Sequence, residues 1–214
     1  MLSVIGFGGY FLLLAYTYKI LKKNRLNALV RTGNKRLTIG GSLAALATLH
    51  HAAPVFLPGI GLALSPLSSL PILAAALLLA DRAMPVFFAT TVLLFFVNAK
   101  EAAIFVLATG PLGLSTALAA VSNKPSWRAM PIAASVLTCG ILLLIFSLGL
   151  PGLQNITGTI NVVSFLAIML FSLAYSFLFA GMASFLQKRL TALFTAALLK
   201  ENDFNGARSW RFRK

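Results

Sequence analysis

The residues able to do chemistry are few. The only two histidines are neighbours, His50 and His51. Lys100 and Glu101 are the sole charges in the forty residues from Ala83 to Ser122. Asn98 stands just before them, and Gln154, Asn155, Thr157 and Asn161 form a later polar group. Successive residues of a helix point about 100° apart, so His50 and His51 do not readily grip one ion. A metal pair would want spacing of three or four residues, or added carboxylates. The histidines are read as ligand contacts or as packing groups at an interface, and no metal is expected. The chain has four acids, Asp81, Glu101, Glu201 and Asp203, and two of these lie near the C-terminus. Paired-carboxylate chemistry therefore has no partners. No HExxH, GxSxG or P-loop occurs. The expectation is a protein that is not an enzyme, carries no cofactor and cannot drive ATP-dependent transport alone. Cys139 is the single cysteine, so no intrachain disulfide forms.

The elements that must position these groups are long apolar runs. The chain is 59% hydrophobic and 10% charged, with a mean hydropathy of +0.90, against about a quarter charged in a soluble domain. Runs of spanning length recur from Leu2 to Leu186. They do not alternate in polarity as barrel strands do, and backbone groups in lipid must be satisfied internally. The expected fold is an all-α, polytopic transmembrane helical bundle. Seven spans are predicted, at about 2–21, 37–53, 66–81, 83–99, 101–122, 130–149 and 160–187. They divide the chain into an N-terminal anchor with its basic loop (1–36), a six-helix membrane core (37–187) and a basic amphipathic tail (188–214).

Charge orients this layout. Seventeen of the eighteen Lys and Arg residues fall on one side, and Lys100 alone falls on the other. Under the positive-inside rule that puts the N-terminus outside and the C-terminus in the cytoplasm. The basic segments then serve topology and lipid contact, not nucleic-acid binding. The opening MLSVIGFGGYFLLLAYTY is read as a signal anchor, because its positive charge follows the apolar stretch. His50, His51, Asn98, Lys100, Glu101, Asn155 and Asn161 all gather at the outer ends. A few polar groups around an apolar mouth are what a small-ligand site needs. Lys100–Glu101 is also read as a tight outer turn, since it splits its forty-residue stretch into near-equal halves.

Several features bear on packing. The segment Pro54–Pro66 holds three prolines and two glycines. It is expected to be an outer loop, a re-entrant turn or a broken helix, because proline disrupts helix interiors. Gly110, Pro111 and Gly113 predict a kink. Gly40, Ala44 and Thr48 recur every four residues, as do Ser172, Ser176, Ala180 and Ser184. Such stripes allow close helix approach in lipid, either within the chain or against a partner. The tail first extends the last helix, with Leu190, Leu193, Phe194 and Ala197 on one face. Its end, RSWRFRK, is read as a lipid-surface anchor or a docking site for a cytoplasmic partner.

From Lys35 to about Lys188 the chain resembles the substrate-binding S components of energy-coupling-factor (ECF) vitamin transporters, closest to their YybS-like branch. The likeness rests on KRLTIGGSLAALATL, LPGIGLALSPLSSLPILAAAL and ATGPLGLSTALAAVSNKPSWR. It implies a six-helix core with both ends cytoplasmic and a substrate lid at 54–66. It also implies a partner-docking face at Gly40, Ala44 and Thr48, a transmembrane scaffold subunit, cytoplasmic ATPases and a small vitamin-like ligand. The first span lies outside that six-helix core. The alternative expectation is a membrane assembly or regulatory protein without a small ligand.

Overall fold

The computed structural model describes residues 2–23, 33–79, 82–121, 130–148 and 162–211. Among the described residues the secondary structure is helical, without a strand. Helices α1 (Leu2–Lys23), α2 (Gly33–Phe56), α3 (Ile60–Leu64), α4 (Ser69–Leu78) and α5 (Ala83–Val97) are followed by α6 (Ala99–Ile104) and α7 (Gly110–Val121). Last come α8 (Met130–Leu148) and the 50-residue α9 (Val162–Arg211). A tight 3₁₀ turn, Ser65–Ser68, joins α3 to α4, and a widened π turn, Phe105–Thr109, joins α6 to α7. Two stretches are long and apolar enough to cross a membrane, Asn34–Phe56 and Val162–Leu193.

The segment after the second predicted span differs from a plain loop. Helix α2 carries on through Pro54 and ends at Phe56. A proline this close to the C-terminal end costs one ladder bond without breaking the rest of the helix. Gly59, at φ +90°, then reverses the chain, a conformation in which a Cβ would be strained. The peptide nitrogens of Leu57 and Gly61 donate to Ala53 O and Leu57 O, each at 2.8 Å. A Cβ at Gly61 would collide with the backbone of Ala53 and Pro54, so α3 lies directly against the end of α2. The third predicted span, 66–81, is helical only to Leu78, and its helical run begins earlier, at Ile60.

The break in the next pair of helices sits at Asn98, whose backbone is extended at φ −161° and ψ 118°. Its side chain accepts the Lys100 peptide N–H at 2.9 Å and caps α6. Lys100 and Glu101 therefore occupy the first turn of α6. Helix α4 lies deepest, with eight of its ten residues buried, and it packs on α7 and α2. Helix α7 also meets α1, α8 and α9. Gly113 brings it onto the Ser69 carbonyl, which would lie 2.6 Å from an added Cβ.

The π turn has a sequence cause. Pro111 has no N–H to offer the carbonyl one turn back, that of Leu107, and its ring crowds that carbonyl. The turn widens, so that the Gly110 N–H reaches Phe105 O. The Leu107 carbonyl is then satisfied from outside the helix: the buried Tyr10 hydroxyl of α1 donates to it at 2.7 Å. Gly140 of α8 faces the same carbonyl so closely that a Cβ there would clash with it. One displaced carbonyl thus anchors α1 and α8 to the middle of the bundle.

Tyr10→Phe is expected to lose about 1–3 kcal/mol, the cost of a buried carbonyl left without a donor. Gly140→Val should cost at least as much through overpacking, about 1–3 kcal/mol. Gly181→Ala, which meets nothing within 4 Å, should stay within about 0.5 kcal/mol of the parent. Unfolding in detergent with a rising fraction of dodecyl sulfate measures all three.

Candidate functional site

Helix α2 buries Gly40, Ala44, Ala47 and His51 along one stripe. His51 ends that stripe with no exposed surface. An imidazole without water must find partners for both nitrogens inside the protein. Nε2 lies 3.0 Å from the Glu101 carbonyl oxygen and 3.5 Å from the Glu101 carboxylate Oε2. Both are acceptors, so Nε2 carries the proton and donates. Nδ1 faces three hydroxyls: Ser68 at 3.1 Å, Ser65 at 3.2 Å and Thr109 at 3.5 Å. The single in-plane lone pair of the neutral ring accepts from one of these hydroxyls at a time, and Ser68 is the nearest.

The surroundings hold this geometry. The Phe105 ring meets His51 edge-on at 5.6 Å and stacks on Phe87 at 5.4 Å. The Ser69 hydroxyl donates to Thr109 O at 2.8 Å, which pins the end of the π turn to the start of α4. The imidazole therefore joins α2, the 3₁₀ turn, α6 and the π turn at one point.

The other predicted site residues spread out from there. His50 is half-buried and turns away, with its Nδ1 2.8 Å from the Leu46 carbonyl of its own helix. Asn98 is half-buried and committed to the α6 cap. Lys100 is exposed, and the Glu101 side chain is 17% exposed at the rim of the His51 cage. Asn155 and Asn161 lie outside the described residues.

Gly40 and Ala44, expected with Thr48 to dock a partner, pack within the chain, while Thr48 is half-buried. Gly40 lies against Val86 of α5 and against Leu79. Ala44 is 2% exposed, and its carbonyl accepts the Thr48 hydroxyl at 2.8 Å. Gly40 and Ala44 thus lie in the contact between α2 and α5, where the Thr90 hydroxyl reaches the Ala44 carbonyl at 3.5 Å. Gly41, Ser42 and Ala45 are small residues that this helix leaves exposed.

Ser65, Ser68 and Thr109 were not among the residues the sequence singles out. Serine and threonine are common in apolar helices, where they usually bond their own backbone. The cue would have been SPLSS, a serine cluster one helix reversal after HH, and a threonine placed just before GP.

Ser68, His51 and Glu101 have the connectivity of a nucleophile, base and acid. The enclosure removes that use: Ser68 and His51 both have no exposed surface. Nε2 also sits closer to the Glu101 carbonyl than to its carboxylate. Among the described residues no group of three or more metal-ligating side chains occurs. Comparison with protein families, with curated proteins and with solved structures finds no match for this chain.

Replacing Ser65 and Ser68 together by alanine strips Nδ1 of its two nearest partners. The double variant should lose about 1–3 kcal/mol, the penalty for a buried group left unpaired. His50→Ala, away from the cage, should change stability by less than about 0.5 kcal/mol. Equilibrium unfolding of both variants in the same detergent makes the comparison.

Proposed function

We propose that this chain is the membrane-embedded substrate-binding subunit of a small-molecule importer. One observation carries the reading. The segment after α2 folds back across the end of the bundle and is tied by its hydroxyls to His51, beside the Glu101 rim. That polar junction under a returning segment supports a ligand site at the adjoining Lys100–Glu101 mouth, with the segment as its lid.

In this reading the bundle has seven spans: α1, α2, the helical run from α3 through α4, α5, the run from α6 through α7, α8 and α9. The run Ile60–Leu78 has 19 residues, about 28 Å at 1.5 Å per residue, enough to cross a hydrocarbon core of about 30 Å. The basic residues put the C-terminus in the cytoplasm of a bacterial cell and the His51 end outside. Lys100 and Glu101 at the mouth would meet a charged or zwitterionic vitamin-like ligand. Partner subunits, a transmembrane scaffold and cytoplasmic ATPases, would supply the motion.

A second reading, a membrane assembly protein without a small ligand, draws on α9. Only 17% of its apolar window is buried within the chain, which leaves broad surface for another membrane protein.

Two measurements test the proposal. A cysteine placed at 100 in a Cys139→Ala background should react with a membrane-impermeant maleimide in intact cells. Protection there with labelling after lysis reverses the orientation. Native mass spectrometry of the tagged protein, drawn from its host membrane in mild detergent, should find a scaffold with ATPases and a retained small molecule. Lys100→Ala with Glu101→Ala should release that molecule. Recovery with an unrelated membrane complex and no small molecule favours the assembly reading.

A further inference from the structure

The geometry points to the His51 cage as a proton-binding site, in which the imidazole takes up a second proton while Glu101 supplies the counter-charge. Nothing larger than a proton has room to reach a ring with no exposed surface. The partners suit both protonation states. At Nε2, the Glu101 carbonyl and carboxylate accept whether the ring is neutral or charged. At Nδ1, one of the hydroxyls of Ser65, Ser68 and Thr109 donates to a neutral ring. After a small rotation each can instead accept from a protonated one, since a hydroxyl carries both capacities. The Nδ1 contact is kept, with its direction reversed, when the proton arrives. The Glu101 side chain, 17% exposed, gives the proton a path between the cage and the outside.

The surrounding elements keep the site isolated. Residues 57–79, which include α3, the 3₁₀ turn and α4, hold no titratable side chain. The same is true of α5 and of Phe105–Val121. From α6 come Glu101 and the exposed Lys100, and from α2 the half-buried His50, which is bonded to Leu46 O. Lys100 opposes the second positive charge from outside the cage and Glu101 favours it from the rim.

The consequence is mechanical. An imidazolium holds the Glu101 carboxylate more strongly than the neutral ring does, because two opposite charges then attract across the 3.5 Å contact. Acidification would therefore draw α6 toward α2, and loss of the proton would release it. The inference rests on the enclosed cage below the Lys100–Glu101 mouth at which the importer reading places its ligand, and stands without that reading.

The test uses the full chain in lipid vesicles, with histidine labelled by ¹⁵N. His50→Gln leaves His51 as the only imidazole. The expected result is a reversible change of the Nδ1 signal, from unprotonated to protonated, as pH is lowered. Glu101→Gln should move the midpoint down by about one unit or more, since an opposite charge at this distance favours the charged form. A His51 that keeps one neutral tautomer at every pH where the fold persists overturns the proposal. So does an unchanged midpoint in Glu101→Gln. Ligand retention by native mass spectrometry is read separately, so failure here is distinguishable from failure of the transport reading.

Discussion

A buried imidazole cannot go without hydrogen bonds, and that requirement organises this end of the molecule. Leaving either His51 nitrogen bare would cost on the order of 1–3 kcal/mol. Its partners come from residues 14 to 58 positions away in the chain. Meeting them fixes the returning segment after Gly59, the start of α6 and the π turn relative to α2. A polar atom in an apolar bundle is expensive when unpaired and directional when paired. Greasy side chains tolerate small shifts, but these four contacts do not.

A second constraint works at the middle of the bundle and has the same logic. Pro111 deprives Leu107 of its usual donor, and Tyr10 brings one from α1. The two sites meet at the π turn, since Thr109 faces His51 while Leu107 faces Tyr10. A widened turn offers carbonyls that a regular helix would keep to itself. Here those carbonyls recruit α1 through Tyr10 and α4 through Ser69. Whatever moves α6 against α2 also moves this turn.

Much of the helical character is legible in the sequence, because apolar runs in a chain 59% hydrophobic admit few alternatives. A break near Lys100–Glu101 is legible too, since two charges interrupt forty apolar residues, although it falls at Asn98 and the pair itself is helical. The broken character of Pro54–Pro66 follows from its prolines, although the return of α3 onto α2 depends on Gly59 and Gly61 in ways composition does not express. The kink near Pro111 is predictable as a kink, but the donor that satisfies its freed carbonyl, the Tyr10 hydroxyl, comes from 97 residues away. The hydroxyls around His51 are illegible for the same reason: a serine that bonds its own helix and one that holds a distant histidine look alike in sequence. The stripe Gly40–Ala44–Thr48 marks close packing correctly in kind, but spacing alone does not say whether the neighbour is α5 or another protein.

The account turns on one claim, that His51 couples the returning segment to α6 and the π turn. Backbone hydrogen exchange in lipid nanodiscs, comparing the parent with His51→Phe, tests it most directly. Residues 57–68 and 99–109 should lose protection together, while α8 and the membrane part of α9 keep theirs. Loss confined to the end of α2, or spread evenly over the bundle, would contradict the claim: the histidine would then be a local packing group, and the site would have to be sought elsewhere.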